Sequence, residues 1–312
     1  MKLIKPSYQI IKPTGYTIDD IYKSIELVGR VSHKSEDKIT ENSAKTFVER
    51  MIKLGHGATL EHGTIYLSIP YNFIHRITHI GLCRKYMKNP YSKCFIYYDI
   101  AETSLNFRSE FGSRITKHLA VTTNLRVLVE NNWLSDLKYL CEPTIYHEKR
   151  YTVKFICDRA IANEFVRHRK FSFLQESTRY CNYSKDKFNN ELTFILPCWL
   201  DIPEGNYAYW NGGWFNDKSE KIQIEEPAET GVNQYLSLLS NVEMHYKLLL
   251  HKGWKPEQAR NVLTLSLKTE LYMTGFESDW DQFFELRTAS NAHPQAKELA
   301  IPLKEEFTKM NY

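Results

Sequence analysis

A single α+β domain carrying a long insertion is the fold class that this 312-residue chain predicts. Three observations point to it. Segments with period-2 alternation stand on either side of a stretch, at about 75–150, whose clearest pattern is helical. Helical segments with recognisable start and stop signals open the chain and dominate its last third. No internal repeat and no linker-like shift in composition divides 1–312 into two units.

The elements follow in order. Residues 17–30 form a helix: Thr17 and Asp20 suit a capping box, and Ile18, Ile21, Tyr22, Ile25 and Val28 recur near helical spacing. From Ser43 a second helix gathers Ala44, Phe47, Val48, Met51 and Ile52 on one face, and Gly55 closes it. Residues 63–70 alternate Ile65, Leu67 and Ile69 against Tyr66 and Ser68, a strand pattern. The 75–150 stretch mixes His75, His79 and Arg84 with Tyr86, Tyr91, Tyr97 and Tyr98, and contains an amphipathic segment at 121–133. It is expected to be mainly helical. Residues 151–158 return to strand-forming types, 160–166 suit a short helix, and 191–197 suit another strand. An aromatic, glycine-rich loop at 207–215 precedes a long helix at 227–251, which Gly253 stops. Pro256 opens the next helix at its favoured first position. Ser278 caps a helix through Leu286, and Pro294 opens the last one.

Composition narrows the function. With 42% hydrophobic and 25% charged residues the chain has ample apolar surface to bury, which excludes a disordered or collagen-like protein. A formal charge of +4 is too small for a protein whose affinity rests on many phosphate contacts. No apolar run approaches a membrane span, and lysines and prolines interrupt the first residues where a signal core would lie. The six cysteines form no CxxC pair, as expected of reduced thiols. The expectation is a cytoplasmic protein without membrane or nucleic-acid partners.

The positive charge is concentrated. Arg167-His168-Arg169-Lys170-Phe171-Ser172-Phe173-Leu174-Gln175-Glu176-Ser177-Thr178-Arg179-Tyr180 holds four fixed cations and one carboxylate. Interleaved Phe171, Phe173 and Leu174 make the run partly buried under either periodicity. Arg167 and Arg169 cannot share a face with His168 in a strand, and in a helix the three fan out. Ser177, Thr178 and Arg179 offer hydroxyls, backbone N–H groups and a guanidinium, a cradle for a mononucleotide phosphate. A second constellation, Gly55-His56-Gly57-Ala58-Thr59-Leu60-Glu61-His62, joins a helix to a strand. It has no HExxH and no cysteine pair, so it reads as a cofactor-lining loop and no metal site is assigned. Cys198 lacks a flanking histidine or cation and reads as a buried structural cysteine. There is neither a P-loop nor a GxGxxG.

The Arg167–Tyr180 run resembles the RHR–seven residues–Ser signature of the flavin-dependent thymidylate synthases, including the Ser-x-Arg-Tyr that ends it. The 55–69 loop and strand resemble that family's Gly-His…Glu-His segment. Ala259-Arg260, with a helix at 263–267, is similar to its later substrate-binding helix. Leu286-Arg287 after 280–284 is similar to its C-terminal arginine segment. The resemblance implies a central antiparallel sheet flanked by helices, a homotetramer with shared active sites, and reductive methylation of dUMP to dTMP. Methylenetetrahydrofolate would supply the carbon, FAD the hydride and NADPH the reducing power.

By the same resemblance, Arg167, His168 and Arg169 contact FAD together with Ser32, His56 and Gln282. The dUMP site takes Glu164, Arg167, Gln175, Glu176, Ser177, Thr178 and Arg179, and Arg260 comes from another subunit. Arg287 is the activating residue: a permanent cation against the uracil ring favours its ionised form, so no thiol is required. Ser177 is the alternative nucleophile, without a recognisable base beside it. The chain departs from the pattern at Glu164 (usually glutamine), Ala58 (a hydroxyl residue), Gln175 (glutamate), and Phe276 and Gln282 (asparagines). Two other readings stay open: a nucleic-acid module using the patch at 167–170, and a relative that binds flavin or nucleotide without turnover.

Overall fold

A computed structural model of the chain describes residues 1–71, 84–100, 115–210, 213–216 and 231–310. Strands β1 (Lys2–Ile4) and β2 (Ser7–Ile11) come first, followed by helices α1 (Ile18–Gly29) and α2 (Ser43–Lys53) and the one-turn α3 (Gly57–Leu60). The expected signals act here. Thr17 accepts from the Asp20 N–H while the Asp20 carboxylate accepts from the Thr17 N–H, and Gly55 takes the left-handed φ of 68° just past α2.

Strands β3 (Thr64–Tyr71), β4 (Lys93–Ile100) and β5 (Ile115–Asn124) form an antiparallel sheet in the order β3-β5-β4, followed by the short α4 (Leu125–Glu130). The expectation of a mainly helical insertion is corrected to a mixed one: among the described residues of 75–150, strands of eight and ten residues stand beside a helical stretch at 84–87, a six-residue α-helix and a 3-10 helix at Leu134–Tyr139. The reason lies at Asn124. Leu119 and Val121 alternate into the core as strand residues, then the Asn124 side chain accepts from the Val127 N–H and starts a helix that buries Val127 and Leu128. The amphipathic segment at 121–133 is therefore two elements joined by a cap. His75, His79 and Cys83 lie outside the described residues.

The remaining elements are β6 (Arg150–Asp158), α5 (Arg159–Phe165), β7 (Ser172–Gln175), β8 (Thr193–Ile195), β9 (Gly205–Asn206), β10 (Ala208–Trp210), β11 (Gly213–Phe215), α6 (Gly231–His251), α7 (Pro256–Ala259), β12 (Lys268–Phe276), α8 (Glu277–Arg287) and α9 (Pro294–Met310). The site rests on an antiparallel sheet ordered β2-β6-β12-β7. β12 lies between β6 and β7 and is buried from Thr269 to Phe276. No strand was expected there. The reading of 263–267 as a helix is corrected too: a 3-10 turn at Arg260–Val262 and a turn closed by the Leu267 N–H on the Thr264 carbonyl lead into β12. The Pro256 helix is a single turn, and Ser278 is not a cap. The Asp279 carboxylate accepts from the Phe276 N–H to start α8, while Ser278 Oγ donates to Glu148 at 2.7 Å. The start of the long helix expected from residue 227 lies outside the described residues, which take it up at Gly231.

One face of this sheet packs Val153, Phe155, Leu271 and Met273 against Phe165 of α5, Trp280, Phe283 and Phe284 of α8, and Leu299, Leu303 and Phe307 of α9. Phe171, between α5 and β7, joins this cluster with its ring centroid 4.8 Å from that of Trp280. Its ring lies so close to β12 that a Cβ on Gly275 would sit 2.4 Å from Phe171 Cδ1. The arginine-rich turn is thus held by an aromatic anchor on the sheet. The other face carries Val28, Val31 and Tyr272.

Candidate active site

α5 ends at Phe165, and residues 166–170 form neither helix nor strand but a turn. The turn sorts its side chains. Arg167, Arg169 and Lys170 are exposed, whereas the His168 ring turns inward to 5.1 Å from that of Phe283. Burial, with Arg287 adding to it, lowers the His168 pKa to about 4, so the imidazole is neutral near neutrality. Arg167 and Arg169 form no ion pair with any described residue, although Lys170 lies 3.8 Å from Asp279.

Arg287, the last residue of α8, reaches this turn. Its Nε donates to His168 Nε2 at 3.0 Å, Nη1 to Glu164 Oε2 at 2.5 Å and Nη2 to the Glu164 carbonyl at 2.7 Å. A guanidinium has five N–H groups, so two stay available for another acceptor. Residues more than a hundred positions apart in sequence meet here.

Past β7 the chain turns again. Ser177 N–H donates to the Ser32 carbonyl, and the N–H groups of Tyr180 and Cys181 donate to the Ser177 carbonyl. The Arg179 N–H donates to Ser177 Oγ at 3.2 Å. The expected cradle therefore has most of its backbone donors already engaged; its outward offering is the exposed Arg179 guanidinium, with Ser177 half-buried and Thr178 buried. No histidine or carboxylate bonds Ser177 Oγ among the described residues. Arg179 Nε donates to Glu257 Oε2 at 3.2 Å, which draws α7 and the Arg260 that follows it toward this turn within one chain.

Gln175 donates to Thr269 Oγ1 at 3.1 Å, while Glu176 lies on the opposite side of the strand. The Glu176 carboxylate is 1% exposed and committed to Lys268 Nζ at 2.8 Å and to the Tyr183 hydroxyl at 2.8 Å. Lys268 also donates to Glu270, which Lys34 and Lys154 approach at 2.9 and 2.7 Å. Burial alone would raise the Glu270 carboxyl, but these three cations hold it well below the usual carboxylate range. Burial likewise drives the Tyr183 phenol up, and Glu176 adds to it. A cavity of about 450 Å³ opens over this network, lined among others by Lys34, Glu36, Lys187 and Phe188. None of Lys34, Tyr183, Lys268 and Glu270 stands out in the sequence. The one available signal was the i, i+2 spacing of Lys268 and Glu270, which a strand turns to a single face.

His56, Arg260 and Gln282 are exposed and make no side-chain hydrogen bond to any described residue. Cys198 is exposed, which corrects its reading as a buried cysteine: it follows β8 and Pro197 on the surface. Its thiol is still not activated, because partial burial and Glu298 both raise its pKa. Burial also raises the thiols of Cys141 and Cys157, and that of Cys181 to about 12. No group of three or more metal-ligating side chains occurs among the described residues. No helix there is long and apolar enough to cross a membrane.

The α+β scaffold turns outward two guanidiniums that pair with no described residue, beside a neutral histidine and a clamped third arginine, a chemistry that suits anionic ligands. Comparison with known proteins specifies the class. The family model for thymidylate synthase complementing protein (Thy1) matches residues 113–310, well over half of the chain. The chain belongs to the flavin-dependent thymidylate synthase family. A flavin-dependent thymidylate synthase of Aquifex aeolicus is 23% identical over 313 residues, covering 88% of this chain and 90% of that one. A probable flavin-dependent thymidylate synthase of Paramecium bursaria Chlorella virus 1 is 28% identical over 171 residues, covering 53% and 69%. Among solved structures, the UMP/dUMP methylase PolB from Streptomyces cacaoi bound with 5-Br UMP aligns with a TM-score of 0.42 at 13% identity, over 99% of this chain and 92% of that one.

Proposed function

We propose that this protein is a methyltransferase that makes dTMP from dUMP, with methylenetetrahydrofolate as carbon donor, FAD as hydride carrier and NADPH as reductant. The observation that carries the reading is the meeting of Arg287 with Glu164 and His168. It joins the RHR turn to the C-terminal arginine segment, the two stretches the family signature rests on. In the same reading residues 1–312 are one catalytic domain with an insertion at about 75–150, assembled as a cytoplasmic homotetramer whose subunits share active sites.

The exposed donors fit FAD. Arg167 and Arg169, unpaired and two residues apart, suit the diphosphate of a dinucleotide, and Ser32, His56 and Gln282 complete that side. Bound flavin supplies the hydride that turns a transferred methylene into a methyl group. The chain's own residues handle the nucleotide. Arg179 and the Arg260 of another subunit neutralise the phosphate, Ser177 and Thr178 hydrogen-bond to it, and Gln175 and Arg167 border the base. Arg287 would direct its two remaining N–H groups at the uracil, where a fixed cation stabilises negative charge on the ring as carbon 5 bonds to the methylene carbon, the methylene's bond to the folate nitrogen breaks with its electron pair staying on that nitrogen, and carbon 5 gives up its proton. Glu164 and His168 hold that guanidinium in place. Because His168 is neutral, it accepts the Arg287 hydrogen bond and does not repel the cation. The raised thiols agree with a route that needs no protein thiolate.

The test is dTMP formation by purified protein given dUMP, methylenetetrahydrofolate, FAD and NADPH. Product is expected. Folded, yellow, flavin-loaded protein that makes none would overturn the reading in favour of a binding-only relative.

A further inference from the structure

We infer that the protein has a small-anion site, lined by none of the residues assigned above to nucleotide or flavin, built around Arg150 between the β2–α1 connection and the start of β3. It takes a single monovalent anion the size of chloride or formate.

Among the described residues, the Arg150 guanidinium has no ion-pair partner. Arg150 opens β6; the residue is half-buried, with the Nε end of its guanidinium enclosed. Nη1 donates to the Glu61 carbonyl at 3.1 Å and to Thr64 Oγ1 at 3.3 Å, and Nη2 lies 3.4 Å from Ser172 Oγ. The Phe276 ring lies 5.4 Å away. All of these partners are neutral, and no carboxylate among the described residues comes within ion-pairing distance. Glu61 is turned to Arg126 instead, and Asp279 faces Lys170. Arg150 Nε is buried and bonds to nothing described. A guanidinium cannot shed its charge near neutrality, so one enclosed at Nε with no partner there is costly unless an anion reaches it. Its pKa is lowered by burial to about 10, which still leaves it charged.

A cavity of about 60 Å³ adjoins this group, lined by Arg150, His62, Thr64, Tyr66, Thr152, Tyr16, Ser24 (whose hydroxyl proton is spent on the Asp20 carbonyl) and apolar residues of β2, α1 and the chain between them. Its polar wall is rich in donors. Tyr66 accepts from the Arg150 backbone N–H at 3.2 Å, which leaves its own O–H to donate. The Thr64 hydroxyl likewise accepts from Arg150 and keeps its proton for another acceptor. His62 is neutral and tied to Thr274 at 2.7 Å. A cation, two hydroxyl protons and no carboxylate select an anion over a cation or a neutral solute. Size selects again. Pockets for drug-sized ligands run from about 300 Å³ upward, so neither nucleotide nor flavin fits here. An occupant would join Glu61 and Thr64, which follow the His56 loop, to Ser172, which follows the RHR turn, and so brace the two motif segments.

The test is thermal unfolding at pH 7.5 and constant ionic strength, with sodium chloride or sodium formate replacing sodium isethionate, whose anion is too bulky to enter. A saturable rise is expected, about 2 °C at ten times Kd for a domain of this length. Tyr66→Phe, which keeps the ring and removes one donor, should shift the midpoint of that rise to several-fold higher anion concentration. Arg150→Gln should abolish it. Should Arg150→Gln fail to fold, bromide soaked into crystals of the unaltered protein gives the second readout, an anomalous peak beside Arg150 Nε. Equal melting temperatures in all three salts, or no bromide peak there, would overturn the inference. None of these readouts depends on dTMP synthesis, so this site and the proposed activity stand or fall separately.

Discussion

Acid should unfold this protein through His62, and the size of the effect follows from burial. His62 lies inside the sheet junction, 3% exposed, hydrogen-bonded to Thr274, with the Arg150 guanidinium as its charged neighbour. Burial first, and Arg150 second, depress its pKa to about 3. In the unfolded chain a histidine titrates near 6.5, so between pH 6.5 and 3 the unfolded state binds the extra proton and stability falls as pH falls. At pH 5 the unfolded histidine is nearly all protonated and the folded one nearly all neutral. The His62 share of the loss relative to pH 7.5 is therefore about 2 kcal/mol, set by the unfolded pKa and insensitive to the folded value so long as that stays well below 5. The assay is urea unfolding at pH 7.5 and pH 5 in isethionate buffer, for the unaltered protein and for His62→Gln, whose amide can still bond Thr274. The variant starts less stable but should lose about 2 kcal/mol less on acidification. An identical loss in both proteins would show that His62 is not the neutral, desolvated group described above.

Three further outcomes are expected. Arg287→Ala should nearly abolish dTMP formation while the protein keeps its flavin absorbance; normal turnover would remove Arg287 from the chemistry. Arg179→Ala should chiefly weaken dUMP binding, and an unchanged dUMP affinity measured by calorimetry would contradict its place at the phosphate. Gly275→Ala should destabilise by about 1–3 kcal/mol, because the added methyl meets the Phe171 ring wedged against Trp280; a melting temperature within a degree of the parent's would mean that the ring yields freely.

Local chemistry was legible from the sequence, and long-range pairing was not. The Thr17–Asp20 capping box, the Gly55 stop and the strand at Arg150–Asp158 each depend on neighbours within a few residues, and each is present. β12 was hidden because Thr269 to Phe276 are all buried, so no polar face alternates with an apolar one. The strands of the insertion are masked in the sequence because a strand and a helix abut at Asn124, and a window spanning both averages two periodicities into one. Glu176 shows the same limit within the site. Its place in the signature run groups it with Ser177 and Arg179, yet strand alternation turns it to Lys268, ninety-two positions away.

Glu164 brings the two levels together. As a sequence feature it is a departure, a carboxylate where the family often has glutamine, beside residues expected to meet a nucleotide. In the fold it faces Arg287 with both its carboxylate and its carbonyl. A glutamine could accept through its side-chain oxygen at the same place, but without charge. With glutamate, the cation is partly neutralised before any ligand arrives, and its orientation is fixed by a charge-assisted bond. The ring then meets a better-positioned but weaker positive field. Glu164→Gln separates these effects: a gain in affinity for dUMP with kcat held or lowered would mean that the carboxylate spends binding on orientation. A fall in both dUMP affinity and kcat would mean instead that the charge itself is required to hold Arg287 where it acts.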